Sequence, residues 1–129
     1  MPLEVTALYG SLLALVGSVL GALVSIQRPK LKVSLGDGGH QALIEANRRH
    51  MNWLENVPLL VTLLAIIELN GASSVWLHTL GLTLLVGRLI HPFGISAEWS
   101  FRVPRFVGSL ATQLVTLASV GTLLWQYLT

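Results

Sequence analysis

The sequence contains no cysteine, so it forms neither a disulfide nor a thiolate metal site, and any thiol chemistry must use a thiol brought from outside. No metal ligand set stands out. Charge is scarce too: Asp, Glu, Lys and Arg make up 11% of 129 residues, against roughly 25% in an average soluble domain. Water is therefore not the main solvent. A phosphate-binding loop is missing, because Gly36-Asp37-Gly38-Gly39 is not followed by Lys-Ser/Thr and reads as a flexible turn. There is no internal repeat and no low-complexity segment. The net charge of +2 is slight, and basic residues in a membrane protein are explained first by topology, which excludes nucleic acid as the expected partner.

What the chain has in quantity is apolar residues, 53% of the total, gathered into long runs. Its length suits a single domain, and four helices of about 20 residues with short connections use almost all of it. The first helix is predicted over about 5–27, a stretch without charge. Met1-Pro2-Leu3-Glu4 carries no basic n-region, so this helix is expected to be retained rather than cleaved as a signal peptide. The second is predicted over about 40–69, with a polar first half ending at Glu55 and an apolar second half over 57–67. Asn70-Gly71 breaks the chain, a third helix follows over about 73–91, and Pro92 with Gly94 stops it. The fourth runs over about 104–127. The fold class is thus all-α, an integral membrane four-helix bundle spanning residues 1–129 as one transmembrane domain.

All eight basic residues flank two connections. Arg28, Lys30, Lys32, Arg48 and Arg49 surround the first, and Arg88, Arg102 and Arg105 surround the third. The positive-inside rule puts both connections in the cytoplasm and both termini on the opposite side, with Glu4, Glu68 and His78. Tyr9, Trp76, Trp125 and Tyr127 are expected at the outer interface and Trp99 at the inner one. Gly17 and Gly21 form a small-xxx-small face for helix packing.

The informative segment is the polar half of helix 2, where Arg48, Asn52 and Glu55 fall at i, i+4 and i+7 on one helical face, with Pro58 a turn later. Ionisable groups at membrane depth are expensive and usually find partners inside the bundle. Either Arg48 with Glu55, or Glu55 with Arg88, makes a simple ion pair there. Arg88 and His91, at i and i+3, point the same way from helix 3. Arg102 and Arg105 open helix 4 around Pro104, expected at the first helical position, where a cation opposes the helix dipole but helps build an anion site. Together with Arg28 these residues describe a cationic, hydrogen-bonding site at one end of an apolar bundle. A polycarboxylate with an ammonium group suits it: arginines for the carboxylates, Glu55 for the ammonium, and an apolar partner arriving from the lipid.

The run from Arg48 to Pro58 resembles the Arg-x-x-x-Asn-x-x-Glu-x-x-Pro signature of the MAPEG family, the membrane-associated proteins in eicosanoid and glutathione metabolism. The likeness extends to Arg28 at the end of helix 1, to the approach over 34–39, to Val86-Gly87-Arg88-Leu89-Ile90-His91, and to Arg102-Val103-Pro104. It implies a bacterial-type member, in the bacterial inner membrane, working as a homotrimer in contact with membrane lipids. Glutathione would bind between neighbours through Arg28, Arg48, Asn52, Glu55, Arg88 and His91. Arg102, with Arg105 as the alternative, would assist formation of the glutathione thiolate, because a nearby guanidinium lowers a thiol pKa. The implied activity is that of a glutathione transferase or peroxidase acting on lipophilic small molecules, either electrophiles or lipid hydroperoxides. The chain departs from the pattern at Ile95, where many eukaryotic members have Tyr, and at Met51, where some have a second arginine, so eicosanoid substrates are not implied. Two other classes compete. A non-catalytic membrane protein holding anionic lipid headgroups uses the same arginines, whereas a small proton-coupled exporter needs a carboxylate in helix 1, which has none inside its span.

Overall fold

The computed structural model describes residues 1–98 and 102–129; Trp99, expected at an interface, lies outside them. Among the described residues there are four α-helices and no strand: α1 Glu4–Leu31, α2 Gln41–Leu69, α3 Ser74–Ile90 and α4 Arg102–Leu128, with a 3-10 turn, His91–Gly94, after α3. Successive helices are antiparallel, since α1 begins beside the end of α2 and the turn after α3 packs on the start of α4. The all-α membrane bundle expected from the sequence is the fold found. Helices α1, α2 and α4 are long and apolar enough to cross a membrane. α3, with 17 residues, extends about 26 Å and packs against α1 and α4.

Helix ends deviate from the sequence expectation for identifiable reasons. α1 continues a turn past Gln27, through Arg28, Pro29 and Lys30. Charge marks the limit of the hydrocarbon, not of the helix. The stop comes at Lys32, in the left-handed conformation, where the amides of Lys32 and Val33 bond the carbonyls of Pro29 and Arg28 at 3.3 and 3.0 Å. α4 starts at Arg102, so Pro104 is its third residue rather than its first. No internal bond is lost, because the first four amides of a helix have no partner within it. α2 passes through Pro58 without interruption. Ser73 caps α3 by accepting from the Trp76 amide at 3.3 Å.

The main core joins Leu13 of α1, Val57, Leu60, Leu64 and Ile67 of α2, Leu77, Leu80 and Leu84 of α3, and Val115 of α4. A smaller cluster, Val24, Leu43 and Ala46, closes the α1–α2 end beneath Leu31 and Val33. Large apolar side chains also cover the outside, among them Leu59, Phe106 and Leu117, each more than 60% exposed. That surface matches lipid rather than water. In lipid, helices are held together by close packing more than by expulsion of water, and rings set against glycines provide it here. The Trp53 ring lies over Gly17, where an added Cβ would meet it at 2.8 Å, and His50 lies over Gly21. The small-xxx-small face of α1 therefore receives aromatic rings from α2 instead of another backbone. Tyr9 turns into the bundle rather than toward lipid: it is 7% exposed and packs on Gly81, which leaves no room for a Cβ. Trp125 and Tyr127 remain exposed.

Candidate functional site

Basic side chains from all four helices gather at the end of the bundle formed by the close of α1 and α3 and the start of α2 and α4. On α2 the spacing of the polar face does place Arg48 and Glu55 together: Arg48 Nη1 donates to Glu55 Oε1 at 3.5 Å, with both side chains about half exposed. An exposed pair of this length is worth about 0–1 kcal/mol. Its partners are therefore easily exchanged.

Asn52, between them on the same face, faces a different neighbour. Its Oδ1 accepts from Arg88 Nη2 at 2.6 Å, while Arg88 Nη1 donates to Thr112 Oγ1 of α4 at 3.4 Å. Arg88 is 1% exposed, and its Nε has no partner among the described residues. The sequence left Glu55 with Arg88 open as a pair; in the fold Glu55 pairs with Arg48, and the described partners of Arg88 are neutral oxygens. A buried cation held only by neutral groups is costly, and ionisable residues at such positions usually serve function.

His91, also 1% exposed, opens the turn after α3, and its Nδ1 is buried without a partner among the described residues. Besides its burial, the charges of Arg88, Arg105 and Arg48 act on the ring. α4 comes close to this turn at two glycines. Gly108 of α4 lies against the His91 backbone, and Gly94 lies against the backbone of Arg105, at positions where neither tolerates a side chain.

The remaining expected residues are less centrally placed. Arg28 folds back on its own connection, with Nη1 donating to Gly36 O at 2.9 Å and Ser34 O at 3.5 Å. Arg102 and Arg105 line a hollow of about 540 Å³ with Val103, Phe106 and Ser109, on the α4 side.

Four structural participants carried no functional expectation. Arg49 donates from Nε to Pro92 O at 3.0 Å and from Nη2 to Ile95 O at 2.7 Å, and it pairs with Glu45 at 3.4 Å. Glu45 Oε1 in turn accepts from the Ala97 amide at 2.8 Å. The pair thus ties the α3–α4 connection to α2. Its i, i+4 spacing was the available signal. Thr112 carried none, because its role depends on which face of α4 meets α3. Ile95, standing where many eukaryotic relatives carry Tyr, is buried and contributes its carbonyl to Arg49.

Known proteins resemble this chain over most of its length. Residues 6–125 match the family model described as MAPEG family. The chain is also similar to the inner membrane protein YecN of Escherichia coli strain K12 and of E. coli O6:H1. Each is 37% identical over 121 residues, covering 94% of this chain and 91% of the relative. The family match over nearly the whole chain and the identity to full-length relatives leave one assignment, and this protein belongs to the MAPEG family.

Proposed function

We propose that this chain is a membrane-bound, glutathione-dependent transferase or peroxidase that works on lipophilic electrophiles or lipid hydroperoxides as a homotrimer. The observation that carries the reading is the weak, half-exposed Arg48–Glu55 pair set beside a buried arginine and a histidine whose Nδ1 has no partner among the described residues. Such a pair opens readily to a zwitterionic ligand: Arg48 takes a carboxylate and Glu55 takes the ammonium group. Asn52 is held by Arg88 and presents its amide to the peptide part of the ligand. The chain has no cysteine, so glutathione supplies the thiol.

Arg105, whose charge already reaches His91 together with those of Arg48 and Arg88, or Arg102 at the start of the same helix, favours the thiolate over the thiol. The sulfur then forms a bond to an electrophilic carbon and expels its leaving group, or attacks the distal oxygen of a hydroperoxide to release the alcohol and a glutathione sulfenic acid, which a second glutathione converts to the disulfide and water; the substrate is delivered from the lipid. Arg28 faces its own connection, so its contribution is assigned to a neighbouring subunit's site. The basic end faces the cytoplasm by the positive-inside rule.

Calorimetry of glutathione binding to purified protein tests this, with Glu55→Gln and Arg48→Ala as controls. Saturable binding by the wild type that is lost in both variants is expected. Absence of binding at millimolar glutathione, from protein shown to be folded and oligomeric, would remove the reading.

A further inference from the structure

Two adjacent arginines of α2 point different ways. Arg48 pairs with Glu55 on the half-exposed face, whereas Arg49 turns to the connection that follows α3. Its guanidinium grips both ends of the turn: Nε donates to Pro92 O at 3.0 Å and Nη2 to Ile95 O at 2.7 Å. The turn is also closed on itself, by the Ile95 amide on Pro92 O at 3.2 Å. One helical turn before Arg49, Glu45 pairs with it at 3.4 Å and accepts from the Ala97 amide at 2.8 Å. Hydrogen bonds with an ionised partner are the stronger class, and three of them join α2 to residues 92–97.

The segment so held is packed on the start of α4. Gly94, between the two gripped carbonyls, lies against the backbone of Arg105, and Gly108 of α4 lies against the backbone of His91. Backbone packed on backbone has no flexible side chain to give way, so a shift of the turn is passed to the first turns of α4. Fixing the turn on α2 therefore fixes where Arg105 stands relative to Arg48, Asn52 and Glu55. The charge of Arg105 already reaches His91, beside those of Arg48 and Arg88. The Glu45–Arg49 pair adds little net field of its own, because opposite charges 3.4 Å apart nearly cancel at a distance.

We propose that Glu45 and Arg49 are positioning residues: they hold the α3–α4 connection on α2 so that the Arg105 guanidinium stays close enough to the ligand sulfur to favour the thiolate. This rests on the glutathione reading, and it takes Arg105 for the thiolate-stabilising part because Gly94 touches that residue's backbone.

The test follows the ultraviolet absorbance of the thiolate in bound glutathione against pH, using the full chain in detergent with free glutathione as the reference. In the wild type the bound thiol should titrate below the free one. Arg49→Gln and Glu45→Ala should each raise that pKa by about one unit, at the low end of what a nearby opposite charge imposes. Their glutathione Kd should stay within about twofold of wild type, as for an independent site, since Arg48, Asn52 and Glu55 are untouched. General loss of stability would lower the yield of folded protein without moving a pKa read from bound ligand. Glu45→Ala decides by its sign: acting through charge alone, loss of a carboxylate favours the thiolate and lowers the pKa, whereas acting through position it raises it. Amide hydrogen exchange over residues 92–98 of the ligand-free protein should speed up in both variants. A lowered or unchanged pKa in Glu45→Ala, or unchanged exchange, would overturn the proposal and leave the glutathione reading standing. Wild-type protein that binds no glutathione would overturn both.

Discussion

The two ends of this bundle treat polar groups differently. At the end where α1 begins, polar atoms close on one another. Glu68 accepts from the amides of Val5 and Thr6 at 3.0 and 2.8 Å, and so caps α1 from α2, because Leu3 offers no side-chain cap. Tyr9 hydrogen-bonds His78 at 3.1 Å, Asn70 donates to Gln126 at 3.2 Å, and Trp76 donates to Thr122 at 3.0 Å. Each pair joins two helices and asks for nothing outside the fold. At the opposite end the eight Lys and Arg residues outnumber the four acidic ones, Asp37, Glu45, Glu55 and Glu98. Among the described residues one arginine is buried without a carboxylate, and one histidine nitrogen is buried without a partner. A surplus of one charge that the protein does not neutralise itself marks where a ligand is to be expected. Polarity alone does not mark it.

The largest effect that would sharpen this contrast lies at the self-satisfied end. Gly81→Leu drives a side chain into the Tyr9 ring, and overpacking should lower stability by about 3 kcal/mol, read as unfolding in a denaturing detergent. Next comes Glu55→Gln, which should weaken glutathione binding roughly a hundredfold, about 2.7 kcal/mol, when measured by calorimetry. Its stability should change by less than about 0.5 kcal/mol, since the Arg48 pair is exposed.

Glu68→Gln is the mirror experiment. Loss of a carboxylate at a helix N-terminus should cost about 1 kcal/mol of stability and leave glutathione affinity untouched. Were Glu68→Gln to abolish binding while Glu55→Gln only destabilised, the division between the ends would be reversed. The smallest effect on stability is expected for Arg48→Ala, which should stay within about 0.5 kcal/mol of wild type at both low and high salt, while its glutathione binding weakens about as much as in Glu55→Gln.

Much of the architecture was legible in the residue order. Uncharged runs, Asn70-Gly71 and Pro92 with Gly94 delimit four helices to within a few positions. The clustering of every basic residue around two connections requires the antiparallel arrangement if they share one end. Helix ends were less legible where charge and helicity part company, as at Arg28-Pro29-Lys30. The polar face of α2 was visible as a spacing, yet the spacing did not say that Asn52 turns to Arg88 while Arg48 and Glu55 face outward. That choice depends on the neighbours' positions across helices separated by tens of residues.

The sequence by itself determined that this is a membrane bundle and which end gathers its basic residues. Scarcity of charge, the length of apolar runs and the order Arg48, Asn52, Glu55, Pro58 are properties of the chain that no packing can change. Only the tertiary structure decided which groups are satisfied. Arg88 became a buried cation facing Thr112, and His91 came under the influence of three arginines, because glycines at 94 and 108 allow α4 to approach the turn after α3. Glu68 became a cap rather than a surface charge because α1 starts where α2 ends. Burial and pairing are relations between elements, and a linear pattern specifies the elements before it specifies their contacts.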